Sequence, residues 1–124
     1  MKAPAQFDVR WAAAAEADLA AIVAYIAQAD PRTARLLLQE IRAQAEALYT
    51  LPHRGRVVPE LHAHGVTLFR EIIHPPWRII YRIEAAAVHV LTVLDARRNL
   101  EDVLLERLVR SDRRAAHAKA PPLS

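Results

Sequence analysis

Apolar side chains in the first 51 residues follow two different periods. Phe7, Val9 and Trp11 alternate with polar residues, which is typical of a strand with one buried face, so we predict a first strand over residues 6–11. The spacing then changes to i, i+3, i+4 and i+7 in an alanine-rich segment, which predicts a helix over residues 12–29. The same period recurs up to residue 51 and predicts a second helix.

Asp30 and Pro31 mark the boundary between the two predicted helices. An aspartate accepts hydrogen bonds from the free N–H groups of a first helical turn, and a proline has no N–H to lose there. The second helix is therefore predicted to begin at Pro31 and to stop at Pro52, which cannot continue it. A connection this short predicts an antiparallel helical hairpin.

Turn formers and β-formers dominate the chain after the second helix. Residues 52–65 contain two prolines and two glycines, so we predict a loop with a short extended piece at residues 56–61. Three segments rich in β-branched and aromatic residues follow, and they predict an antiparallel meander. These segments are residues 67–73, 78–83 and 88–94. The last is nearly all apolar, which predicts a central strand covered on both faces.

The C-terminal segment is predicted to form a helix over residues 100–109, with Asn99 as its N-cap. We expect residues 1–110 to form a single domain and residues 111–124 to form a flexible tail. The predicted fold class is α+β: a strand, a helical hairpin, an antiparallel sheet of three to four strands and a C-terminal helix. The hairpin would cover one face of the sheet and leave the other open apart from the last helix.

The absence of cysteine narrows the possible chemistry, since the chain of 124 residues forms no disulfide, thiolate metal site or iron–sulfur cluster. His62 and His64 have no evident third ligand nearby, so we predict neither a metal nor a cofactor. His89, inside an apolar strand, is predicted to be a hydrogen-bonded core or edge residue.

Charged residues interrupt the N-terminal apolar stretch, and no apolar run approaches the roughly 20 residues that a membrane span needs. We therefore expect no membrane association and a cytoplasmic location.

Basic residues exceed acidic ones by 17 to 14, and the surplus lies in residues 53–98. Alternation along a strand places Arg78 and Arg82 on one face. We expect three further arginines to converge there and form a surface that binds a polyanion, an acidic partner or the target of the protein. These residues are Arg70, Arg97 and Arg98.

In an alternative interpretation, nearby carboxylates of the same chain neutralise these arginines. In it, three arginines form cross-strand ion pairs with three nearby carboxylates and are not available to a partner. The arginines are Arg70, Arg78 and Arg82, and the carboxylates are Glu71, Glu84 and Asp95. Glu60 would likewise order its loop through an ion pair with Arg54 or Arg56. The residues alone leave both interpretations open.

Several short segments, taken in order and spacing, resemble the RelE/ParE superfamily of toxins from bacterial type II toxin–antitoxin modules. They are the sequence GRVVPE at residues 55–60, Arg70-Glu71, the sequence WRIIYR at residues 77–82, Arg97-Arg98, and the Leu19, Ile22, Tyr25 and Ile26 pattern of the first helix. The resemblance extends over residues 7–110 and implies the fold predicted above. It also implies a cognate antitoxin as partner, with a toxin–antitoxin hetero-oligomer as the assembly.

The resemblance implies one of two activities. RelE-like members cut messenger RNA in the ribosomal A site, whereas ParE-like members inhibit DNA gyrase. Residues 69–71 contain no lysine where the resemblance places a RelE-type lysine pair, and Val103 stands where it places a tyrosine. A nuclease would retain Arg78 and Arg97 as charge stabilisers, with His74 or Glu60 as weak candidates for proton transfer.

We therefore predict a ParE-like growth inhibitor that acts on DNA gyrase without nuclease chemistry. One alternative is a RelE-like, ribosome-dependent mRNA endonuclease. Another is a decayed toxin that retains only antitoxin binding.

Overall fold

A computed structural model describes residues 6–97 and 101–103 of the chain. Its elements, in chain order, are β1 (Asp8–Trp11), α1 (Ala13–Ala27), α2 (Pro31–Glu46), a 3-10 turn (Ala47–Tyr49), β2 (Arg56–Val57), α3 (Pro59–His62), β3 (Phe69–His74), β4 (Trp77–Glu84) and β5 (Ala87–Asp95). Residues 101–103 are also helical. The predicted α+β class is confirmed, and the predicted bounds of the four main strands lie within two residues of the observed ones.

Asp30 forms the predicted cap between α1 and α2. Its carboxylate accepts hydrogen bonds from the backbone N–H of Thr33 at 3.2 Å and from the Thr33 hydroxyl at 2.6 Å. A bidentate ion pair joins the two helices, because the guanidinium of Arg42 donates to both carboxylate oxygens of Glu16 at 2.8 and 2.7 Å. The same guanidinium lies 4.4 Å from the ring centroid of Trp11 and so ties β1 to the hairpin.

The described strands form a five-stranded sheet with the order β1-β5-β4-β3-β2. The predicted antiparallel meander of β3, β4 and β5 is confirmed. Strand β5 lies between β1 and β4, which explains why its sequence is almost entirely apolar. The sheet is larger than the predicted three to four strands because β1 pairs in parallel with β5 and β2 pairs with β3.

The helical hairpin packs on one face of the sheet around the larger of two apolar clusters. Its buried members are Ala15, Leu19, Ile41, Ala45, Leu48, Ile72, Ile79, Tyr81, Val88, Val90 and Val93. These residues come from α1, α2, the 3-10 turn and the three strands of the meander, so the predicted hairpin-on-sheet layer is confirmed.

The opposite face is partly covered by the segment that follows β2, and here two expectations are wrong. Residues 56–61 do not form one extended piece, because Pro59 begins the short helix α3 and its fixed φ angle suits a first helical turn. This helix and its flanking residues pack on the sheet as a second apolar cluster, so the face is not open apart from the last helix. The buried members of this cluster are Val58, Leu61, Phe69, Ile80 and Leu94.

The loop before β2 is fixed by a tyrosine from the middle of the sheet. Tyr81 is fully buried, and its hydroxyl donates to the carbonyl of Pro52 at 2.7 Å and accepts from the N–H of Gly55 at 2.9 Å. A Cβ atom at Gly55 would lie 2.5 Å from the Glu71 carbonyl oxygen and 2.6 Å from the Tyr81 hydroxyl oxygen, so glycine is required by close approach. Burial raises the pKa of Tyr81, which keeps the hydroxyl protonated as a donor.

Two sequence predictions fall largely outside the described residues. Of the helix predicted over residues 100–109, only residues 101–103 are described, and its proposed cap Asn99 is not. The predicted tail at residues 111–124 also lies outside them. Within the described part of the chain, no helix has the length and apolar character needed to cross a membrane.

Replacing Tyr81 with phenylalanine tests the anchoring of this loop. Tyr81→Phe leaves the Gly55 N–H and the Pro52 carbonyl without their buried partner, so we expect the free energy of unfolding to fall by about 1–3 kcal/mol. Urea denaturation measures the loss. Tyr25→Phe is the matched control, because the Tyr25 side chain is 75% exposed and its hydroxyl removal should change stability by no more than about 0.5 kcal/mol. Equal effects of the two changes would contradict the anchor.

Candidate functional site

Arg78 lies at the centre of a group of charged side chains on the face of the sheet covered by α3. Its side chain is 8% exposed. The guanidinium donates from Nη1 and Nη2 to the two carboxylate oxygens of Glu60 at 2.8 and 3.0 Å, and from Nε to Oε1 of Glu71 at 2.7 Å. A further ion pair joins Nη2 to Glu71. Every nitrogen of the Arg78 guanidinium therefore contacts a carboxylate.

Glu71 is the buried acid that joins this group to the edge of the sheet. Its side chain has no exposed surface, and its second oxygen accepts from Nε of Arg56 at 2.7 Å. Antiparallel pairing places Glu71 directly opposite Arg56 on β2 and opposite Ile80 on β4, two residues from Arg78. We call these four residues, Arg56, Glu60, Glu71 and Arg78, the charged network. A carboxylate this deeply buried is stable only because both of its oxygens bind guanidinium groups.

The contact between Glu60 and Arg78 shifts the pKa of both side chains. Hydrogen bonds from Arg78 lower the pKa of Glu60, although partial burial opposes this. Burial by itself disfavours the charged form of Arg78, but the hydrogen bonds to Glu60 and Glu71 outweigh it and raise the pKa of Arg78. Glu60 and Arg78 are therefore both charged near neutral pH. Binding a phosphate at Arg78 would require a carboxylate to leave.

The predicted convergence of arginines on one face is only partly correct. Arg82 shares the face of Arg78, and its Nη2 lies 3.0 Å from Glu84 while its buried Nε has no hydrogen-bond partner among the described residues. Arg70 does not reach that face, because it stands opposite Tyr81 in the β3–β4 register and adjacent residues alternate. Its Nη1 donates to the Gly55 carbonyl at 2.7 Å.

The arginine pair after β5 is only half described. Arg97 is 83% exposed and lies in the turn after the strand, where its Nη2 contacts Asp95 at 2.5 Å. It pairs with a carboxylate two residues away and not with the charged network. Arg98 lies outside the described residues.

The interpretation in terms of local ion pairs is confirmed at two places. Arg78 pairs with Glu71, and Arg82 pairs with Glu84, although along one strand rather than across strands. It is wrong for Arg70, which has no carboxylate partner among the described residues. The predicted pairing of Glu60 with Arg54 or Arg56 is also wrong, because Glu60 binds Arg78.

The histidines do not assemble with the charged network. His74 contacts Oε2 of Glu40 on α2 at 2.9 Å and pairs with Trp77, which packs in the cluster on the helical face. His64 lies 3.3 Å from Glu101, and His62 ends α3 rather than lying on an extended segment. Within residues 6–97 and 101–103, no group of three or more potential ligands is placed to hold a metal ion.

Two functional features of the structure were missed in the sequence. The first is the bidentate contact between Glu60 and Arg78, for which no local signal exists, because 18 residues separate the partners. The second is the hydroxyl of Tyr81, whose partners lie 26 and 29 residues earlier. A signal did exist for Glu71, since a carboxylate at an inward position of a β-rich segment requires a buried basic partner.

Comparisons with known proteins agree with this architecture. Residues 9–100 match the family model described as the ParE toxin of the type II toxin–antitoxin system parDE. The structure of the chromosomal ParDE toxin–antitoxin system from P. aeruginosa is similar, with a TM-score of 0.61 and 22% identity over 73% of this chain and 96% of that chain. The toxin–antitoxin complex RelBE2 from Mycobacterium tuberculosis is similar with a TM-score of 0.52 and 22% identity, covering 77% and 97%. A search of curated protein sequences found no match.

Replacing Glu71 with glutamine tests the buried part of the charged network. Glu71→Gln leaves two guanidiniums without their shared negative charge, so we expect a loss of about 3–5 kcal/mol in the free energy of unfolding. Guanidinium chloride denaturation measures it. Glu84→Gln is the control, because the Glu84 side chain is 62% exposed and an exposed pair contributes at most about 1 kcal/mol. The network would not be structural if both variants were destabilised equally.

The pH dependence of stability tests the contact between Glu60 and Arg78. The folded-state pKa of Glu60 is below its ordinary value of 4.5, so its contribution is fully present above that value and is lost as pH falls through the lowered folded pKa. We expect Glu60→Gln to make the fall in stability below about pH 4.5 shallower than in the parent chain. Urea denaturation at a series of pH values measures both slopes. A Glu60→Gln slope equal to that of the parent chain would disprove the contact.

Proposed function

The chain belongs to the ParE toxin family of type II toxin–antitoxin systems, and from that membership we propose that it inhibits bacterial growth by acting on DNA gyrase. We also propose that a cognate antitoxin neutralises it in a toxin–antitoxin hetero-oligomer. The structural neighbours support the second part, because both are described as toxin–antitoxin assemblies. Residues 1–110 would form the toxin domain.

The observation that supports a non-nucleolytic mechanism is the occupied guanidinium of Arg78. An RNA-cleaving site needs a cation that contacts the scissile phosphate and groups that transfer protons to and from it. In this chain Glu60 and Glu71 occupy all three nitrogens of Arg78. Glu60, one candidate for proton transfer, is held ionised by that same arginine.

The other candidate nuclease residues are separated from Arg78. His74 binds Glu40 towards the helical face, and Arg97 pairs with Asp95 beyond the end of β5. No lysine stands in residues 69–71 to replace them. The arrangement therefore favours inhibition by binding. In that case we propose that contacts with the antitoxin or with gyrase come from the arginines outside the network, namely Arg70, Arg82, Arg97 and Arg98, and not from Arg78, whose guanidinium is already occupied.

Inducible expression in a bacterial host, followed by two assays, tests this function. We expect growth to stop, purified chain to inhibit DNA supercoiling by purified gyrase, and messenger RNA to stay intact in primer extension. Codon-phased cuts within minutes of induction would instead identify a ribosome-dependent endonuclease. Unchanged growth with folded protein present would identify a decayed toxin.

A matched pair of variants makes the assay specific. Arg97 and Arg10 are both exposed and each pairs with an aspartate two residues earlier. We expect Arg97→Gln to weaken gyrase inhibition by about tenfold, equivalent to about 1.4 kcal/mol, if this guanidinium contacts the target. Arg10→Gln, on β1 and paired with His89 near the start of β5, should leave inhibition unchanged.

A further inference from the structure

Three arginines surround Gly55 at the edge of the sheet formed by β2. Arg54 donates from Nη2 to the side-chain oxygen of Gln44 on α2 at 2.8 Å, so it lies on the helical side of the strand. Arg56 donates to Glu71 on the other side. Arg70 donates to the carbonyl of Gly55, the residue between them. We call Arg54, Arg56 and Arg70 the basic edge.

Two of the three arginines of the basic edge have no carboxylate partner within the described residues. Six of their ten arginines have a carboxylate within 4.0 Å: Arg10, Arg42, Arg56, Arg78, Arg82 and Arg97. Arg54 and Arg70 have none, and their acceptors are a neutral amide and neutral carbonyls. Neutral acceptors orient a guanidinium without cancelling its charge. The one carboxylate at this edge, Glu71, is already shared between Arg56 and Arg78.

The backbone that carries the basic edge is held in place before any partner arrives. The Tyr81 hydroxyl bonds both Pro52 and Gly55, and Arg70 bonds the carbonyl of the same glycine. A segment fixed in this way loses little conformational freedom when it binds, which favours affinity. The Arg56 side chain is 61% exposed and Arg54 is also exposed, so both are accessible.

We propose that the basic edge binds the carboxylates of an acidic segment in a partner protein, and that this partner is the antitoxin of the function proposed above, on which this assignment rests. Guanidinium groups match carboxylates in a planar, two-point geometry. A nucleic acid is the less suitable ligand, because residues 6–97 carry ten basic and ten acidic side chains and lack the broad positive field that phosphate backbones require.

Fluorescence anisotropy with a labelled peptide of alternating glutamate and alanine tests the proposal at low ionic strength, where exposed charges are least screened. We expect the double variant Arg54→Gln/Arg70→Gln to bind this peptide about tenfold more weakly than the parent chain. Arg54→Gln alone should weaken binding by about threefold and cannot disturb the Gly55 contact of Arg70.

The control is the double variant Arg32→Gln/Arg35→Gln, which removes the same charge from two exposed arginines at the start of α2 that also lack a carboxylate partner among the described residues. It should change binding by less than about twofold. Equal weakening by both double variants, or tighter binding of a labelled DNA duplex that depends on the same two arginines, would overturn the proposal.

Gyrase inhibition measured on the same preparations separates the proposal for the basic edge from the proposal for the target. A parent chain that inhibits gyrase but does not bind the peptide refutes the basic edge alone, whereas one that binds the peptide without inhibiting gyrase refutes only the target.

Discussion

The structure depends on a carboxylate that has no contact with solvent. Glu71 is stable inside the protein only because Arg56 and Arg78 bind its two oxygens. Arg78 in turn binds Glu60 on α3. One buried negative charge therefore connects β2, β3, β4 and α3. Removal of a single member leaves an uncompensated charge in a medium of low polarity, which costs several times more than the loss of an exposed pair.

Strand β4, which carries Arg78, also holds the loop before β2 through a residue on the other face of the sheet. Arg78 and Tyr81 lie three residues apart on β4 and therefore on opposite faces. The arginine binds Glu60 after β2, and the tyrosine hydroxyl binds Pro52 and Gly55 before it. The segment between these contacts is clamped at both ends, which explains how a strand of two residues keeps its place at the edge of the sheet. Gly55 is necessary because these contacts bring the Glu71 carbonyl oxygen and the Tyr81 hydroxyl oxygen within 2.6 Å of the position that a Cβ atom would occupy.

These contacts determine which charges remain available to a partner. Arg78 is one of the two arginines that the family resemblance offers as charge stabilisers, yet it is occupied by carboxylates of its own chain. Arg54 and Arg70, held by neutral acceptors, keep their charge at the edge of the sheet. A ParE-family chain built in this way is suited to binding an acidic surface. Of the groups that a ribonuclease would need, Glu60 and Arg78 are bound to each other, whereas His74 lies on the other face of the sheet and Arg97 lies beyond the end of β5.

The sequence by itself determined the order of the elements and most of their bounds. The period of apolar residues distinguished α1 and α2 from the strands, Asp30 and Pro31 located the cap, and the apolar run of β5 indicated its central position. These signals are local, since they depend on spacing within a few turns of helix or one strand. Only the tertiary structure decided that Glu60 reaches Arg78 and that Arg70 lies on the opposite face of the sheet from Arg78. It also decided that α3 covers the face opposite the helical hairpin. Those outcomes follow from strand register and chain reversal over many residues, and a one-residue difference in register would place each charge on the opposite face.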